Sequence, residues 1–388
     1  MNIRKIMVVV VAVAMAAGAF ADVPTIGNVK AQQRYPWNGL VDIDYTITGD
    51  TTGLNLSFSA RDTESGATYR PMTFLSTPSS SAGANRATWN PKADGYSIVS
   101  SNIVVSVLLT RTVVPPTPPV QDAEYLVIDL SGGPSATSYP VSSLSEVPSG
   151  GWSEEYKTTK LVLRKLAGGT FNMSGSTSTT ITKPFYIGVF EVTQKQYELV
   201  TGSNPCSSAS YGKGDAYPAH GVSYDMVRGS SDGAGWPASS AVDADSFLGK
   251  IQPRTGLGLD LPTEAQWEYA CRAGTTTTYS YGDAANGDYM WYVGNSGWKS
   301  YAVGSKLPNA FGLYDMHGNV WEWCLDWSGT LVGGNDPKGA ASGSVRAMRG
   351  GSWCNSAYDC TSSYCDKYGS PDAGDPSRGF RLCCAAAE

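Results

Sequence analysis

Apolar and polar residues alternate in two short runs near the start of the chain, at residues 41–47 and 54–58, and a third run at 103–109 is rich in Val and Leu. Turn-forming Gly, Asp, Ser and Pro residues separate the runs. Alternation with a period of two is typical of strands with one buried face, and short strands between turns favour a small β-sandwich. We therefore predict an all-β domain over residues 22–130, without candidate catalytic residues.

The next stretch of the chain predicts a connection between domains. Residues 125–130 form one more apolar run, which predicts a strand that either completes the sandwich or begins the connector. Residues 131–157 are rich in Ser, Gly and Pro, which predicts a loose linker.

Two helices are predicted in a C-terminal domain over residues 158–388. Thr193 and Thr263 are each followed three residues later by Gln, and a Gly lies beyond the end of each apolar run. This capping-box pattern predicts helices at residues 193–201 and 264–272. The remaining sequence is dense in aromatics and predicts a few strands and long loops, so we expect an α+β domain.

The first residues predict a signal peptide over residues 1–21. Arg4 and Lys5 precede an apolar run at residues 6–20, and Ala19-Phe20-Ala21 fits a cleavage site. The apolar run is too short to span a bilayer comfortably. We therefore expect a protein without a transmembrane segment that is secreted, periplasmic or exposed at the cell surface.

Charge and cysteine content restrict the partners and cofactors. The chain has 28 basic and 34 acidic residues, and removing Arg4 and Lys5 leaves 26 against 34, a net charge of about −8. An acidic protein is a poor partner for nucleic acid, so we expect a protein or glycan ligand. All eight cysteines lie at or beyond residue 206, where an oxidising compartment would permit disulfides. Their spacing does not match a zinc site, and two histidines exclude a His-rich centre.

Seven motifs follow one another through the C-terminal domain. They are GTFNM at 169–173, FYIGVFEVT at 185–193, PAHGVSY at 218–224, LPTEAQWEYA at 261–270, NAFGLYDMHGNVWEW at 309–323, RGGSW at 349–353 and GFRL at 379–382. In this order they resemble the formylglycine-generating enzyme (sulfatase-modifying factor) family. The resemblance implies a C-type-lectin-like variant fold over roughly residues 158–385. Each motif can also specify the fold without specifying an activity.

A calcium site is predicted within the fifth motif. Asp315 and Glu322 flank a glycine turn, and their carboxylates with the carbonyls of Gly318 and Val320 would supply the oxygen ligands that Ca²⁺ prefers. The resemblance implies calcium at the same positions. Alternatively, Asp315 caps a turn and Glu322 pairs with an arginine.

The resemblance also implies a copper(I) oxidase centre, in which two cysteines spaced C-x4-C follow the RGGS motif. Aligned through that motif, Cys360 matches the second cysteine, whereas Asn355 occupies the first position and Cys354 comes one residue early. Neighbouring side chains of an extended chain point to opposite sides, so we expect the two cysteines not to converge. Ser352 and Trp321 match the oxygen-pocket residues of the enzymes. Cys360 is expected to be an unpaired thiol or part of a structural disulfide.

The segment from residue 354 to residue 378 has an unusual composition. Up to residue 377 it contains no Leu, Ile, Val, Met, Phe or Trp, and every residue except Lys367 can be encoded by a codon ending in T or C. It is similar to the randomised surface of variable proteins of diversity-generating retroelements, and Tyr with small polar residues makes a good generic binding surface. The predicted ligand-binding residues are Asn355, Tyr358, Asp359, Tyr364, Asp366, Tyr368, Asp372, Asp375 and Arg378.

Two functions therefore remain open. One is a secreted binding or display protein that contacts a ligand through residues 354–378. The other is a copper-dependent oxidase that converts a substrate cysteine of sulfatases to formylglycine. The sequence does not determine the oligomeric state or the disulfide pairing. It also leaves open the alternative that residues 354–378 form an ordinary polar surface loop.

Overall fold

A computed structural model describes residues 25–33, 40–48, 54–96, 103–111, 123–206 and 208–386. The predicted signal peptide at residues 1–21 lies outside these ranges. The chain divides into two compact units, residues 1–114 and 115–388. No helix in the described ranges is long and apolar enough to cross a bilayer.

The described residues of the N-terminal unit form two three-stranded sheets around one core. The first sheet has the order β1-β2-β5 and the second the order β4-β3-β6. Ile43 and Tyr45 of the first sheet and Val105 and Val107 of the second are buried in the same core, as the alternation of apolar residues predicts. The strands are β1 Thr25–Gln33, β2 Val41–Thr48, β3 Leu54–Asp62, β4 Thr68–Tyr69, β5 Gly83–Trp89 and β6 Ile103–Arg111.

The C-terminal unit combines short strands with four α-helices among its described residues. Its strands are β7 Tyr125–Asp129, β8 Val141–Leu144, β9 Lys160–Leu166, β10 Gly169–Met173, β11 Thr177–Ile181, β12 Phe185–Gly188, β13 Trp321–Trp327, β14 Gly334–Asn335, β15 Arg346–Arg349, β16 Cys365–Gly369, β17 Arg378–Gly379 and β18 Cys383–Ala385. The helices are α1 Gln194–Thr201, α2 Tyr224–Arg228, α3 Phe247–Thr255 and α4 Glu264–Arg272. The predicted fold class, an α+β domain preceded by an all-β unit, is confirmed.

The described strands of this unit form three sheets. Their spatial orders are β18-β12-β9-β7-β8, β16-β15-β13-β17 and β10-β11-β14. The second of these sheets carries the candidate site, because its edge strands β16 and β17 lie in or at the end of residues 354–378 and flank β15 and β13. Residues 273–320, between α4 and β13, contain no helix or strand. This long loop packs beside the site.

Both predicted helices are present with the capping boxes that predicted them. In α1 and α4 the Thr side chain accepts from the main chain three residues on, and the Gln side chain accepts from the main-chain N–H of the Thr. The reciprocal bonds satisfy two donors that a helix start would otherwise leave unpaired. The sequence missed α2 and α3; α2 has only five residues, and α3 contains Pro253 near its end.

The structure moves the predicted domain boundary. Strand β7, expected within the domain ending at residue 130, pairs antiparallel with β9 of the C-terminal unit. Its side chains fill two cores on opposite faces of that sheet, with Leu126 and Ile128 on one face and Tyr125 and Val127 on the other. Residues 131–157 are not a loose linker either, because they contain β8, which pairs with β7, and a 3-10 turn at Glu154–Lys157.

Candidate functional site

A fully buried arginine anchors the segment that follows β15. The Arg349 guanidinium forms ion pairs with Glu264 (2.7 Å) and Glu268 (3.0 Å) of α4. It also donates to the main-chain carbonyls of Ser362 (3.2 Å) and Tyr364 (3.4 Å). Burial is the largest influence and disfavours the charged form, yet the two glutamates outweigh it and raise the pKa of Arg349. The backbone of the segment is therefore held from inside the protein.

A second buried arginine holds the chain beyond the segment. Arg381 pairs with Glu322 of β13 and donates to the carbonyls of Gly188 (2.9 Å) and Tyr314 (3.0 Å). Trp267 donates its indole N–H to the same Glu322 carboxylate (2.6 Å). Residues 354–378 thus run between two ionic anchors that bind the chain to helix α4 and strand β13.

The predicted oxygen-pocket residues converge on Asn355. Its side-chain Oδ1 accepts from the indole N–H of Trp321 (2.9 Å) and from the hydroxyl of Ser352. The Cys354 sulfur lies 3.2 Å from the same Ser352 hydroxyl. The main-chain carbonyl of Asn355 accepts from Val293 in the long loop (2.9 Å). An amide oxygen therefore occupies the place that the resemblance gives to a cysteine thiolate.

Cys360 is buried beneath the segment. Burial raises the pKa of its thiol, and the nearby Asp359 raises it further. The Nδ1–H of His317 donates to the Cys360 carbonyl (2.7 Å), since a carbonyl can only accept, and Nε2 accepts from the main-chain N–H of Ser280 (3.1 Å). Burial lowers the pKa of His317 to about 4, so a neutral ring fixes the backbone of Cys360.

These residues do not fit a copper(I) centre of the family type. Copper(I) prefers soft thiolate ligands, and the amide oxygen of Asn355 is a hard donor. Cys354 contacts Ser352 rather than replacing Asn355, and none of the eight cysteines forms a disulfide. Cys360 is therefore the one cysteine that matches a position of the C-x4-C pair implied by the resemblance, and Cys354 is near enough to interact electrostatically with its thiol.

The predicted calcium ligands have other partners. Glu322 is paired with Arg381, the alternative that the sequence left open, and Asp315 accepts from the main-chain N–H of Gly304 (2.7 Å). Burial raises the pKa of Asp315 to about 6, and it raises that of the neighbouring Glu191, which accepts from the main-chain N–H of Val320. Among the described residues, no group of three or more His, Cys, Asp or Glu is arranged to hold a metal.

Calcium at this position stays a prediction, with a direct test. Asp315, Glu322 and Glu191 are three buried carboxyls that interact with one guanidinium, Arg381, so the calcium prediction rests on this excess of negative charge and on the resemblance rather than on a preformed ligand set. We expect excess chelator to lower the melting temperature, because an ion held only by the native state at a hundred times its Kd stabilises that state by about 2.7 kcal/mol. The calcium response should vanish in Asp315→Asn. Identical melting curves with calcium and with chelator would contradict the prediction of a calcium site.

The predicted ligand-binding residues all reach the surface, in part or fully. Tyr358 is 72% exposed and Tyr368 80%. Some of the predicted ligand-binding side chains also contact the main chain of the segment. The Arg378 guanidinium, for example, donates to the carbonyl of Ala373 (3.0 Å). None of the nine is buried, and they are Asn355, Tyr358, Asp359, Tyr364, Asp366, Tyr368, Asp372, Asp375 and Arg378.

Contacts connect these residues to one another across the sheet. The Tyr358 ring meets the Tyr364 ring edge-on (5.4 Å between centroids), and Tyr364 packs on Trp321 (5.9 Å). Trp321 in turn binds Asn355 and pairs in register with Arg378 of β17. We use the name display surface for the nine predicted ligand-binding residues.

Sequence reasoning missed two exposed aromatic residues whose segments contact Trp353, the residue before the segment 354–378. Tyr211 stacks on Trp353 (5.6 Å between ring centroids), and Trp298 is 63% exposed in the long loop. Trp298 lies in the long loop and Tyr211 ends a short 3-10 helix, Ala209–Tyr211, and neither periodicity nor a family motif marks either position. An exposed Trp in an otherwise polar loop was the one available signal.

Comparisons with known proteins agree with the motifs. The family model of the sulfatase-modifying factor enzyme 1-like domain matches residues 153–386. The formylglycine-generating enzyme of Streptomyces coelicolor is 38% identical over 149 residues, which cover 32% of this chain and 46% of that protein. The enzyme of Bos taurus is 28% identical over 251 residues, covering 52% and 65%. The chain thus spans about half to two thirds of the length of these relatives.

One solved structure is also similar to part of this chain. Treponema denticola variable protein 1 is 30% identical with a TM-score of 0.47, and the match covers 58% of this chain and 96% of that one.

Proposed function

Because the chain belongs to the sulfatase-modifying factor enzyme 1-like domain family, we propose that it uses this domain as a scaffold for binding rather than for oxidation. The protein is a secreted or surface-exposed display protein whose ligand, a protein or a glycan, contacts the display surface. The observation that carries the proposal is the pairing of an exposed, Tyr-rich segment with a backbone anchored by buried arginines.

The anchoring separates the roles of backbone and side chain. Arg349 holds the main chain of residues 362 and 364, while Tyr358 and Tyr368 point mainly into solvent. Substitutions at exposed positions away from special contacts usually change stability by less than about 0.5 kcal/mol. Such a surface tolerates changes of side chain, which is what a diversified binding protein needs, and Tyr gives large contact area at low entropic cost.

The DNA beside the gene provides the sharpest test. Diversification of the display surface requires a reverse-transcriptase gene and a near-copy of the 3′ end of this gene that differs at adenines. Sequences from sibling isolates should then differ at codons within 354–378 and agree at Arg349 and Arg381. Sibling genes whose differences scatter evenly through residues 158–386 would contradict diversification of this surface.

The alternative, a copper-dependent formylglycine-generating oxidase, is favoured by Trp321 and Ser352 at the expected positions. We nevertheless expect no turnover, because Asn355 offers oxygen where a soft thiolate is required. The assay incubates the full chain with copper(I), oxygen and a cysteine-bearing sulfatase-motif peptide, and seeks the aldehyde by mass spectrometry. Aldehyde formation that disappears in Cys360→Ser would overturn the binding proposal in favour of the enzyme.

A further inference from the structure

The long loop between α4 and β13 presents Trp298, whose main-chain N–H donates to Ser296 (3.1 Å), a residue that contacts Trp353. Two fully buried serines flank this residue at positions 296 and 300. Ser296 donates its hydroxyl to the carbonyl of Trp353 (2.6 Å), and Ser300 donates to the carbonyl of Tyr211 (2.9 Å). Trp353 immediately precedes the segment that carries the display surface. The base of the Trp298 bend is therefore fixed to the same framework as that segment.

The conformation of Trp298 is unfavourable for a tryptophan. Gly297 and Trp298 both have positive φ angles, 60° and 65°. Left-handed backbone suits Gly, Asn or Asp, and for a bulky residue it is strained. The indole is 63% exposed, so burial offsets little of this strain. Strained residues that contribute little to the core concentrate at functional sites.

A second aromatic residue lies on the same framework. Tyr211 is 38% exposed and stacks on Trp353, and its carbonyl accepts from both the main chain (3.0 Å) and the side chain (2.9 Å) of Ser300. Tyr211 stacks on Trp353, which lies two positions before Asn355 in the chain. Asn355 in turn contacts Trp321, which packs on Tyr364.

We propose that Trp298 and Tyr211 are fixed anchors of the ligand site, and that the ligand is a protein with a basic contact surface and a pocket for Trp298. This inference rests on the proposed binding function and deepens it. The display surface supplies variable contacts, whereas Trp298 and Tyr211 supply invariant ones. Aromatic side chains held rigidly in the free protein are typical hot spots of protein interfaces.

Shape and charge favour a protein over a glycan. Small ligands bind in concave sites, whereas Trp298, Tyr358 and Tyr368 are exposed, and a cavity of about 360 Å³ in the described part of this unit is lined by other residues, among them Trp236 and Cys384. Residues 354–378 carry four aspartates against Lys367 and Arg378, a net charge of −2. No salt bridge among the described residues involves the four, which are Asp359, Asp366, Asp372 and Asp375. A basic partner complements this charge.

The first test uses the full chain alone. Trp298→Asn replaces the indole with a residue that accepts left-handed backbone, so its melting temperature should equal that of the parent or exceed it by about 2–4 °C. Trp298→Ala keeps the backbone strain and should melt no higher than the parent. A Trp298→Asn variant that melts well below the parent would make Trp298 a structural residue and overturn the inference.

The second test measures binding on a printed array of purified extracellular proteins of known isoelectric point, beside a glycan array. The parent should bind basic proteins, and Trp298→Asn should weaken that binding at least about tenfold. Val332→Ala, at a 53% exposed apolar residue of another loop, is the matched control and should bind like the parent.

The outcomes separate this inference from the proposed function. Protein binding that requires Tyr358 and Tyr368 but not Trp298 overturns the inference and leaves the binding function. The inference is also overturned if the parent binds glycans alone. It is likewise overturned if no protein on the array binds in a way that depends on Trp298. Binding that requires none of these aromatics would overturn the proposed function together with the inference.

Discussion

Replacing Arg349 with methionine should destabilise the C-terminal unit by about 3–5 kcal/mol, because it leaves two buried carboxylates without their cation. Glu264 and Glu268 are both buried, and both contact the Arg349 guanidinium. The guanidinium also satisfies the carbonyls of Ser362 and Tyr364, which methionine cannot. At roughly 2–4 °C per kcal/mol, the melting temperature should fall by about 6–20 °C.

A matched control comes from an exposed ion pair of the same unit. Lys195 and Glu198 are 3.1 Å apart on the surface of α1, and Lys195→Met should cost less than about 0.5 kcal/mol. Adding Glu264→Gln to Arg349→Met should restore part of the lost stability, because one uncompensated charge is removed. An Arg349→Met variant within about 1 kcal/mol of the parent would show that the ionic anchor contributes little.

Loss of Arg349 should also loosen the display surface. Its two carbonyl contacts hold the main chain on either side of residue 363, so hydrogen exchange in residues 362–366 should accelerate more than exchange in α1. Acceleration spread equally over the unit would indicate global destabilisation without a specific role for the anchor.

The elements that the sequence predicted correctly are those with local signals. Capping boxes at Thr193 and Thr263 need only four neighbouring residues, and both helices form as expected. Strand β7 was recognised as a strand, but its partner was not, because pairing with β9 depends on residues more than thirty positions away. Local periodicity identifies a strand and says little about which sheet it joins.

The site shows the same limit. Glu264 and Glu268 lie four residues apart on one helix face, and no local signal shows that both are buried and paired with Arg349 of β15. The departure from the enzymes that the spacing of Cys354 and Cys360 predicts depends only on the local order of residues, and it stays a prediction. The anchoring of Trp298 by Ser296 and Ser300 leaves no periodic signal, because it belongs to an irregular loop.

Exchanging one side chain should convert the Asn355 position into a metal site. Asn355→Cys restores the C-x4-C spacing with Cys360, and the new thiol would lie beside Trp321 and Ser352, which already contact Asn355. Two thiolates suit copper(I) far better than one thiolate with an amide oxygen. We expect the variant to remove copper(I) from a chromophoric chelator, at one ion per chain. The parent should leave the copper(I) bound to the chelator.

The cysteine variants decide which sulfur atoms take part. Asn355→Ser, which has the size of cysteine but a hard oxygen donor, should bind no better than the parent. In the Asn355→Cys background, Cys360→Ser should abolish copper binding, whereas Cys354→Ser should leave it intact, because Cys354 contacts Ser352 from a position one residue early. Tight copper binding by the parent that depends on both Cys354 and Cys360 would mean that the two sulfur atoms converge despite the shifted spacing. The oxidase would then be the favoured function.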